Sequence, residues 1–151
     1  MNTAHTRRAL VVGATGIAGQ TVSRQLVEAG WEVHGLARRG NSMVDGVIPI
    51  QADLLDAEAT ASALAGLRPE IVIITAWIRK DTEAENIAVN SATLRSLFAA
   101  LEPDGEVRHV ALLTGLKHYL GPFEDYATGV KAETPFKESE PRLPSPNFYY
   151  A

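Results

Sequence analysis

The sequence predicts an α/β fold, a doubly wound parallel sheet with helices packed on its two faces. Short apolar segments alternate with helical segments along residues 9–113, an order typical of βαβ units. The first apolar segment also ends in a glycine-rich turn that opens a helix. With 151 residues, of which 46% are hydrophobic, the chain can form one domain with a buried core.

Five apolar segments have the length and the β-branched content of buried parallel strands. They cover residues 9–12, 31–37, 47–51, 71–74 and 107–113. Three helical segments connect them. The first ends at Gly30, and its apolar face comprises Val22, Leu26 and Val27. The second covers residues 57–67 and has Asp56 as its expected N-cap. The third is predicted to bury a stripe of Leu94, Leu97, Phe98 and Leu101.

The composition argues against several classes of protein. The net charge is -4 and basic residues form no stripe, whereas nucleic-acid binding requires clustered Lys and Arg. The chain has no cysteine, which excludes a disulfide framework and a thiolate metal site and is consistent with a reducing cytoplasm. No apolar run approaches the roughly 18–20 residues of a membrane span, and residues 1–8 lack the apolar core of a signal peptide. We therefore expect a cytoplasmic protein that binds neither nucleic acid, membrane nor metal.

The glycine-rich turn has the spacing Gly-x-x-Gly-x-x-Gly, formed by Gly13, Gly16 and Gly19. In such a turn the first glycine permits the tight bend, the second lets the backbone approach a pyrophosphate, and the third lets helix and strand pack closely. The N–H groups and positive dipole end of the following helix then face the phosphates. Thr15 and Ile17 lie in the same turn and complete the predicted dinucleotide contact. The alternative is a turn that serves packing alone.

The end of the second strand indicates which dinucleotide would bind. NAD-binding proteins usually carry an acidic residue there, which holds the ribose hydroxyls. This chain instead has Arg38 and Arg39, and guanidinium groups suit the geometry of a 2′-phosphate. The sequence therefore favours NADP(H) over NAD, with a pair of solvated turn residues as the alternative.

Two segments near the end of the chain carry a more specific pattern. They read Thr-Gly-Leu-Lys-His-Tyr-Leu-Gly-Pro-Phe at residues 114–123 and Asn-Phe-Tyr-Tyr at residues 147–150. This pair resembles the signature of the progesterone 5β-reductase/iridoid synthase-like group of extended short-chain dehydrogenases/reductases, and the resemblance covers nearly the whole chain. It implies a Rossmann fold that binds NADP(H), and an enzyme that reduces small-molecule enones or enals.

In that group the first segment supplies a catalytic lysine and the second a catalytic tyrosine. The resemblance places these roles on Lys117 and Tyr149, with Tyr150 as the second choice for the tyrosine. It implies reduction of an activated C=C bond with hydride from NADPH, while the tyrosine hydroxyl binds the carbonyl oxygen and the lysine lowers the pKa of the tyrosine. Tyr149 is also expected to contact the cofactor. Reduction of the carbonyl itself by the same pair stays open.

Further cofactor contacts are expected at the carboxyl edge of the sheet, where open α/β sheets bind ligands. In this superfamily an acidic residue after the third strand faces the adenine, a role that falls to Asp53, next to Leu54; capping of a helix is the alternative. Ala76 and Trp77 follow the fourth strand, and Trp77 either lines the cofactor cleft or is a buried packing residue.

Two other functions share parts of this pattern. A non-catalytic NADP(H) sensor resembling NmrA-like proteins has the same glycine turn but has no need of Lys117 and Tyr149. An extended sugar-nucleotide epimerase or dehydratase normally carries Tyr-x-x-x-Lys. No such pair occurs within residues 1–151, and for Tyr149 and Tyr150 the fourth following position lies beyond residue 151. The lysine and tyrosine segments therefore favour the enone reductase.

The connection between the two segments is rich in proline. Residues 122–146 contain five of the eight prolines of the chain, and we expect an active-site loop that leads to Tyr149. Residues 1–151 are then one NADP-binding Rossmann domain that stops before its C-terminal strands and substrate region. Such a chain is expected to bind NADP(H) weakly and to turn over little. The sequence is compatible with a homodimer.

Overall fold

The computed structural model describes residues 6–40, 43–115 and 137–139 of the chain. The elements are, in chain order, strand β1 (Arg8–Val12), helix α1 (Ile17–Glu28), strands β2 (Glu32–Ala37) and β3 (Val47–Gln51), helix α2 (Ala57–Leu64), strand β4 (Ile71–Ile74), helix α3 (Glu83–Leu101), a short 3-10 helix (Glu102–Asp104) and strand β5 (His109–Leu112). The chain forms two compact units: one includes the residues up to Trp77 together with residues 92–113, and the other includes residues 78–91.

The five strands lie in the first unit and form one parallel sheet in the order β3-β2-β1-β4-β5. β1 is central and pairs with β2 on one edge and with β4 on the other. The chain therefore winds outward from β1 in two directions, which confirms the predicted doubly wound sheet. Residues 9–12 of β1 are fully buried, as expected of a strand with a neighbour on each edge and helices on each face.

Alternate residues of β1 point to opposite faces of the sheet, and each face has its own core. One core contains Leu10 and Val12 and is covered by α2 and α3, which contribute Leu64, Leu97 and Leu101. The other core contains Val11, and α1 packs against it with the face that the sequence predicts: Val22, Leu26 and Val27.

The third helical segment differs from its predicted pattern. α3 already begins at Glu83, and Phe98 of the predicted stripe keeps 41% of its surface exposed. The prediction for Phe98 is wrong because each residue advances the helix by about 100°, and only the sector around Leu97 and Leu101 meets the core. The buried row of α3 consists of Asn86, Asn90, Thr93, Leu97 and Leu101.

The other elements differ from their predicted bounds only at the ends. α2 stops at Leu64, because the chain soon turns through Gly66 in the left-handed region (φ 74). Trp31 precedes β2 instead of belonging to it, since its N–H donates to the carbonyl of Leu26 at 3.0 Å and closes the turn after α1. β5 is shorter than predicted, and all its residues are exposed, as befits the edge of the sheet. Within the described ranges, no helix is both long and apolar enough to cross a bilayer.

Candidate functional site

The turn between β1 and α1 bends at Gly13, where only glycine fits. Its φ of 88 lies in the left-handed region. A Cβ atom there would also lie 2.8 Å from both the backbone nitrogen of Ala76 and the hydroxyl oxygen of Thr75. The N–H groups of Gly13 and Ala14 donate to the carbonyl of Leu36 in β2, at 2.8 and 3.3 Å. The turn is therefore packed against the ends of both neighbouring strands.

The other two glycines of the turn differ in what surrounds them. A Cβ on Gly19 would collide with the carbonyl oxygen of Gly13 and lie 2.8 Å from its carbonyl carbon, so glycine lets α1 sit directly against the turn. Gly16 has an ordinary φ of -77, and the nearest atom to a Cβ there is 3.4 Å away. Gly16 is exposed, and its missing side chain leaves the backbone open to approach from outside the protein.

The first turn of α1 presents backbone N–H groups at this point. Gly16 is the N-cap, and it makes no side-chain capping hydrogen bond. The first N–H groups of a helix have no acceptor within the helix, and its dipole places partial positive charge there, so the turn can accept an anion. Ile17 is apolar yet 92% exposed, whereas Thr15 is half-buried and its carbonyl accepts a hydrogen bond from Nε2 of Gln20 at 3.0 Å.

Thr75 is a residue of this site that the sequence analysis missed. It follows β4, and its hydroxyl donates to the carbonyls of Val12 at 2.9 Å and Gly13 at 3.2 Å. Its N–H also donates to the carbonyl of Val12, at 2.9 Å. Through these hydrogen bonds Thr75 connects the end of β4 to the glycine turn. A threonine directly after a buried strand, at the edge where the glycine turn lies, is the signal that could have indicated it.

Arg38 and Arg39 come directly after β2 and are both exposed. Arg38 lies two residues after Leu36, whose carbonyl accepts the hydrogen bonds from Gly13 and Ala14 in the glycine turn. The carboxyl ends of parallel strands meet at one edge of a sheet, so both guanidinium groups belong to the edge that carries the turn. Because both guanidinium groups are exposed, they can form charge-assisted hydrogen bonds with a phosphate.

Asp53 and Leu54 follow β3 at the same edge. Oδ1 of Asp53 accepts a hydrogen bond from the N–H of Leu55 at 3.0 Å, which fixes a short turn, and the residue is exposed. The alternative in which Asp53 caps a helix is wrong, because the N-cap of α2 is Asp56, whose Oδ1 accepts from the N–H of Ala59 at 2.9 Å. Leu54 packs against the core beneath α2 and α3.

Ala76 and Trp77 continue the chain beyond Thr75. Ala76 packs partly against the same core as Leu54, and its backbone nitrogen lies beside Gly13. Trp77 is 45% exposed, so it is not the buried packing residue of the alternative interpretation. Trp77 thus lies at the carboxyl edge of β4, the edge where open α/β sheets bind ligands.

The structure therefore brings most of the predicted cofactor contacts to one edge of the sheet. These are the glycine turn with Thr15 and Ile17, the arginines after β2, the acidic turn after β3, and the Ala76–Trp77 pair after β4. Lys117, Tyr149 and Tyr150 lie outside the described residues, as do residues 122–136 and 140–146 of the predicted proline-rich loop. The catalytic roles of Lys117 and Tyr149 stay predictions.

Comparison with known proteins identifies the family. Residues 9–139 match the NAD dependent epimerase/dehydratase family, and the chain belongs to it. It is 39% identical to the 3-oxo-Delta(4,5)-steroid 5-beta-reductase of Arabidopsis thaliana and 38% identical to the (S)-8-oxocitronellyl enol synthase CYC2 of Camptotheca acuminata; each alignment covers 94% of this chain and 39% of the relative. These relatives confirm the resemblance to the progesterone 5β-reductase/iridoid synthase-like group. The chain spans 39% of their length.

A solved structure confirms the Rossmann-type fold. The UDP-glucose 4-epimerase of Thermus thermophilus, determined as a complex with NAD, superimposes with a TM-score of 0.72 at 22% identity, over 95% of this chain and 46% of that one. At 22% sequence identity, this similarity is evidence for a shared fold alone. The family is NAD(P)-dependent, so NAD and NADP are the two candidate dinucleotides.

Proposed function

We propose that this chain is the cofactor-binding part of an NADPH-dependent oxidoreductase that reduces the activated C=C bond of an enone or enal. The observation that carries the proposal is the similarity to relatives named as a steroid 5β-reductase and an enol synthase, which extends over 94% of the chain. The name of the first describes a 3-oxo-Δ4,5 steroid, which is an enone. A small molecule of that class is therefore the proposed substrate.

The residues at the carboxyl edge fit a dinucleotide. A pyrophosphate would lie over Gly16, where a Cβ atom would otherwise project, and would accept hydrogen bonds from the first turn of α1. The adenine would lie near Asp53 and Leu54. Arg38 and Arg39 are exposed after β2, where an acidic residue would favour NAD, and they support NADP(H) instead.

The proposed chemistry assigns separate tasks to the cofactor and to the chain. A bound NADPH would supply a hydride to the β-carbon of the substrate. The hydroxyl of Tyr149 donates a hydrogen bond to the substrate carbonyl oxygen and stabilises the negative charge that develops there as an enolate. The enolate then takes a proton at its α-carbon, which completes the reduction of the C=C bond. The ammonium of Lys117 lowers the pKa of Tyr149 by its opposite charge relative to the phenolate, which makes the hydroxyl a better donor.

The other functions considered receive less support. The family includes epimerases and dehydratases by its description, but the relatives that match 94% of this chain are named as a steroid 5β-reductase and an enol synthase. A non-catalytic NADP(H) sensor would need the glycine turn alone and would have no use for Lys117 or Tyr149.

The proposal is tested first by calorimetric titration of the purified chain with NADPH and with NADH. We expect NADPH to bind more tightly, and we expect the double variant Arg38→Ala/Arg39→Ala to lose about tenfold or more in NADPH affinity while its affinity for NADH changes little. Arg95→Ala is the matched control, because Arg95 is an exposed arginine on α3. Equal affinity of the wild type for both cofactors would contradict the NADP(H) assignment.

The catalytic assignment is tested by steady-state reduction of a 3-oxo-Δ4,5 steroid and of an acyclic enal. In the full-length protein, Lys117→Met and Tyr149→Phe should lower kcat by about 100-fold or more while the Kd for NADPH changes far less. Tyr150→Phe distinguishes the two candidate tyrosines, because a larger loss of kcat in Tyr150→Phe than in Tyr149→Phe would assign the catalytic role to Tyr150. Equal losses of kcat and of cofactor affinity would show that Lys117 and Tyr149 have structural roles.

A further inference from the structure

Thr60 is a buried polar residue of α2, and its side chain makes a hydrogen bond outside the helix. It is 1% exposed, and with Leu64 it forms the buried face of α2. A threonine inside a helix often turns its hydroxyl back to the carbonyl four residues earlier. Here the N–H of Thr60 donates to that carbonyl, which belongs to Asp56, at 2.9 Å. The hydroxyl donates instead to the carbonyl of Asp53, at 3.1 Å, and so joins α2 to the segment that follows β3.

Asp53 receives three hydrogen bonds from the residues that follow it. Its carbonyl oxygen accepts from the N–H of Asp56 at 2.9 Å as well as from the Thr60 hydroxyl. Its carboxylate oxygen Oδ1 accepts from the N–H of Leu55 at 3.0 Å. Since these bonds reach both the main chain and the side chain, they restrict the backbone and the carboxylate of Asp53 together.

The hydroxyl of Thr60 is not explained by packing. Valine has nearly the same shape, carries no polar group that must be buried, and would complete an apolar face of α2 with Leu64. The carbonyl of Asp53 does not require the hydroxyl either, because the N–H of Asp56 already donates to it. A threonine at position 60 is explained if Asp53 has to keep one orientation.

The carboxylate of Asp53 is suited to recognise the base of the proposed cofactor. The N–H of Ala52 donates to the carbonyl of Ala37 at 3.2 Å, so Asp53 follows directly on the end of β2 that carries Arg38. Asp53 is exposed, and beside the oxygen bonded to Leu55 it has a second oxygen that can accept a hydrogen bond. Adenine carries an amino group, a donor, where hypoxanthine carries an oxo group, an acceptor. A carboxylate fixed at this place therefore favours adenine.

We propose that Thr60 is a positioning residue for recognition of the adenine base: its hydroxyl fixes the backbone of Asp53, whose carboxylate accepts a hydrogen bond from the amino group of adenine. This inference rests on the function proposed above, because it takes the dinucleotide as the ligand. Thr60 and Asp53 both lie in the first compact unit. Because Thr60 is buried, it acts on the cofactor through Asp53, and its effect concerns the choice of base.

The test compares NADPH with deamino-NADPH, the analogue in which hypoxanthine replaces adenine, on the full-length protein. Calorimetric titration gives the Kd of each cofactor, and the ratio of the two Kd values measures recognition of the amino group. We expect the wild type to bind NADPH about tenfold more tightly than deamino-NADPH, and Thr60→Val to reduce this ratio to about threefold or less. Thr60→Ala also lacks the hydroxyl and should reduce the ratio in the same way. Asp53→Ala should abolish the preference, because it removes the acceptor itself.

Three further variants separate positioning from stability. Thr60→Ser keeps the hydroxyl and should retain the wild-type ratio, although it loses a buried methyl group. Leu64→Ala removes a core side chain one turn further along α2, and it should lower the melting temperature while the ratio stays near the wild-type value. In the Asp53→Ala background, Thr60→Val should not change the ratio further, because the carboxylate that Thr60 positions is gone.

The outcomes separate this inference from the proposed function. A wild type that prefers NADPH over deamino-NADPH, beside a Thr60→Val variant with the same preference, would overturn the positioning role alone. An equal loss of affinity for both cofactors in Thr60→Val would also overturn it, because recognition of the base would be unaffected. A wild type that binds both cofactors equally would overturn this inference and leave the NADPH assignment in place. A wild type that does not bind NADPH would overturn the proposed function and this inference with it.

Discussion

Gly13, Gly16 and Gly19 look equivalent in the sequence, but their surroundings differ. Gly13 needs its positive φ, and Gly19 needs the absence of a Cβ because the carbonyl of Gly13 occupies that space. At Gly16 no atom of the described residues comes closer than 3.4 Å to an added Cβ. We therefore attribute the glycine at position 16 to the proposed pyrophosphate, which would approach the backbone there.

This difference predicts opposite effects of two alanine substitutions. Gly19→Ala should destabilise the fold by about 1–3 kcal/mol, although alanine usually stabilises a helix, because its methyl group would collide with the turn. Gly16→Ala should change the free energy of unfolding by less than about 1 kcal/mol but weaken NADPH binding by about tenfold or more. Urea unfolding and calorimetric titration of both variants measure the two quantities. Unchanged NADPH affinity in Gly16→Ala would contradict the proposed position of the pyrophosphate.

At the scale of the elements, hydrogen bonds from side chains define where helices begin. Asp56 caps α2 through the N–H of Ala59, as the sequence predicts. α3 begins with a reciprocal pair in which Glu85 accepts from the N–H and the hydroxyl of Thr82, while the Thr82 hydroxyl accepts from the N–H of Glu85. These bonds lower the pKa of Glu85. The sequence analysis missed this pair, and the spacing Thr-x-x-Glu is the signal that indicates it.

The cap of α2 gives a test at the scale of one helix. Asp56→Ala should lower the free energy of unfolding by about 1 kcal/mol, because the N–H of Ala59 loses its acceptor. Asp56→Asn keeps an oxygen acceptor and should lose much less. Urea denaturation of the two variants measures both values. If Asp56→Asn lost as much as Asp56→Ala, the interaction of the charge with the helix dipole would be the main contribution, and the cap bond a minor one.

At the scale of the whole molecule, a cluster of polar side chains on Arg8, Glu32 and His34 joins β1 and β2 at the amino edge of the sheet. Oε1 of Glu32 is 2.7 Å from Nε of Arg8 and 2.9 Å from Nε2 of His34. The hydrogen bonds from His34 and from Arg8 lower the pKa of Glu32. This cluster lies at the opposite end of the strands from the cofactor site, so we assign it to stability.

The cluster predicts how stability depends on pH. The carboxyl of Glu32 has a lower pKa in the folded protein than in the unfolded chain, where it is about 4.3. Its contribution is therefore present above that value and is lost as the pH falls through the folded pKa. The free energy of unfolding of the wild type should exceed that of Glu32→Gln near pH 7, by less than about 1 kcal/mol because Arg8 and Glu32 are partly exposed, and the difference should shrink below about pH 4.

Chemical denaturation across this pH range measures the difference. Glu28→Gln is the matched control, because Glu28 is an exposed glutamate at the end of α1. A difference between wild type and Glu32→Gln that persists unchanged at about pH 3 would mean that packing of the side chain stabilises the strands, and that the charge does not.

The sequence by itself determined the order of strands and helices, the glycine turn and the cap of α2. Each of these follows from a local physical requirement: side-chain period, a positive φ, or an oxygen acceptor three residues from an N–H group. The tertiary structure decided which side chains are exposed and which residues distant in the chain form hydrogen bonds with one another. Phe98 and Trp77 stay exposed because no described element covers them fully, and Thr75 contacts Val12, 63 residues away in the chain. Such contacts depend on which distant segments meet, and neither residue type nor local spacing encodes that.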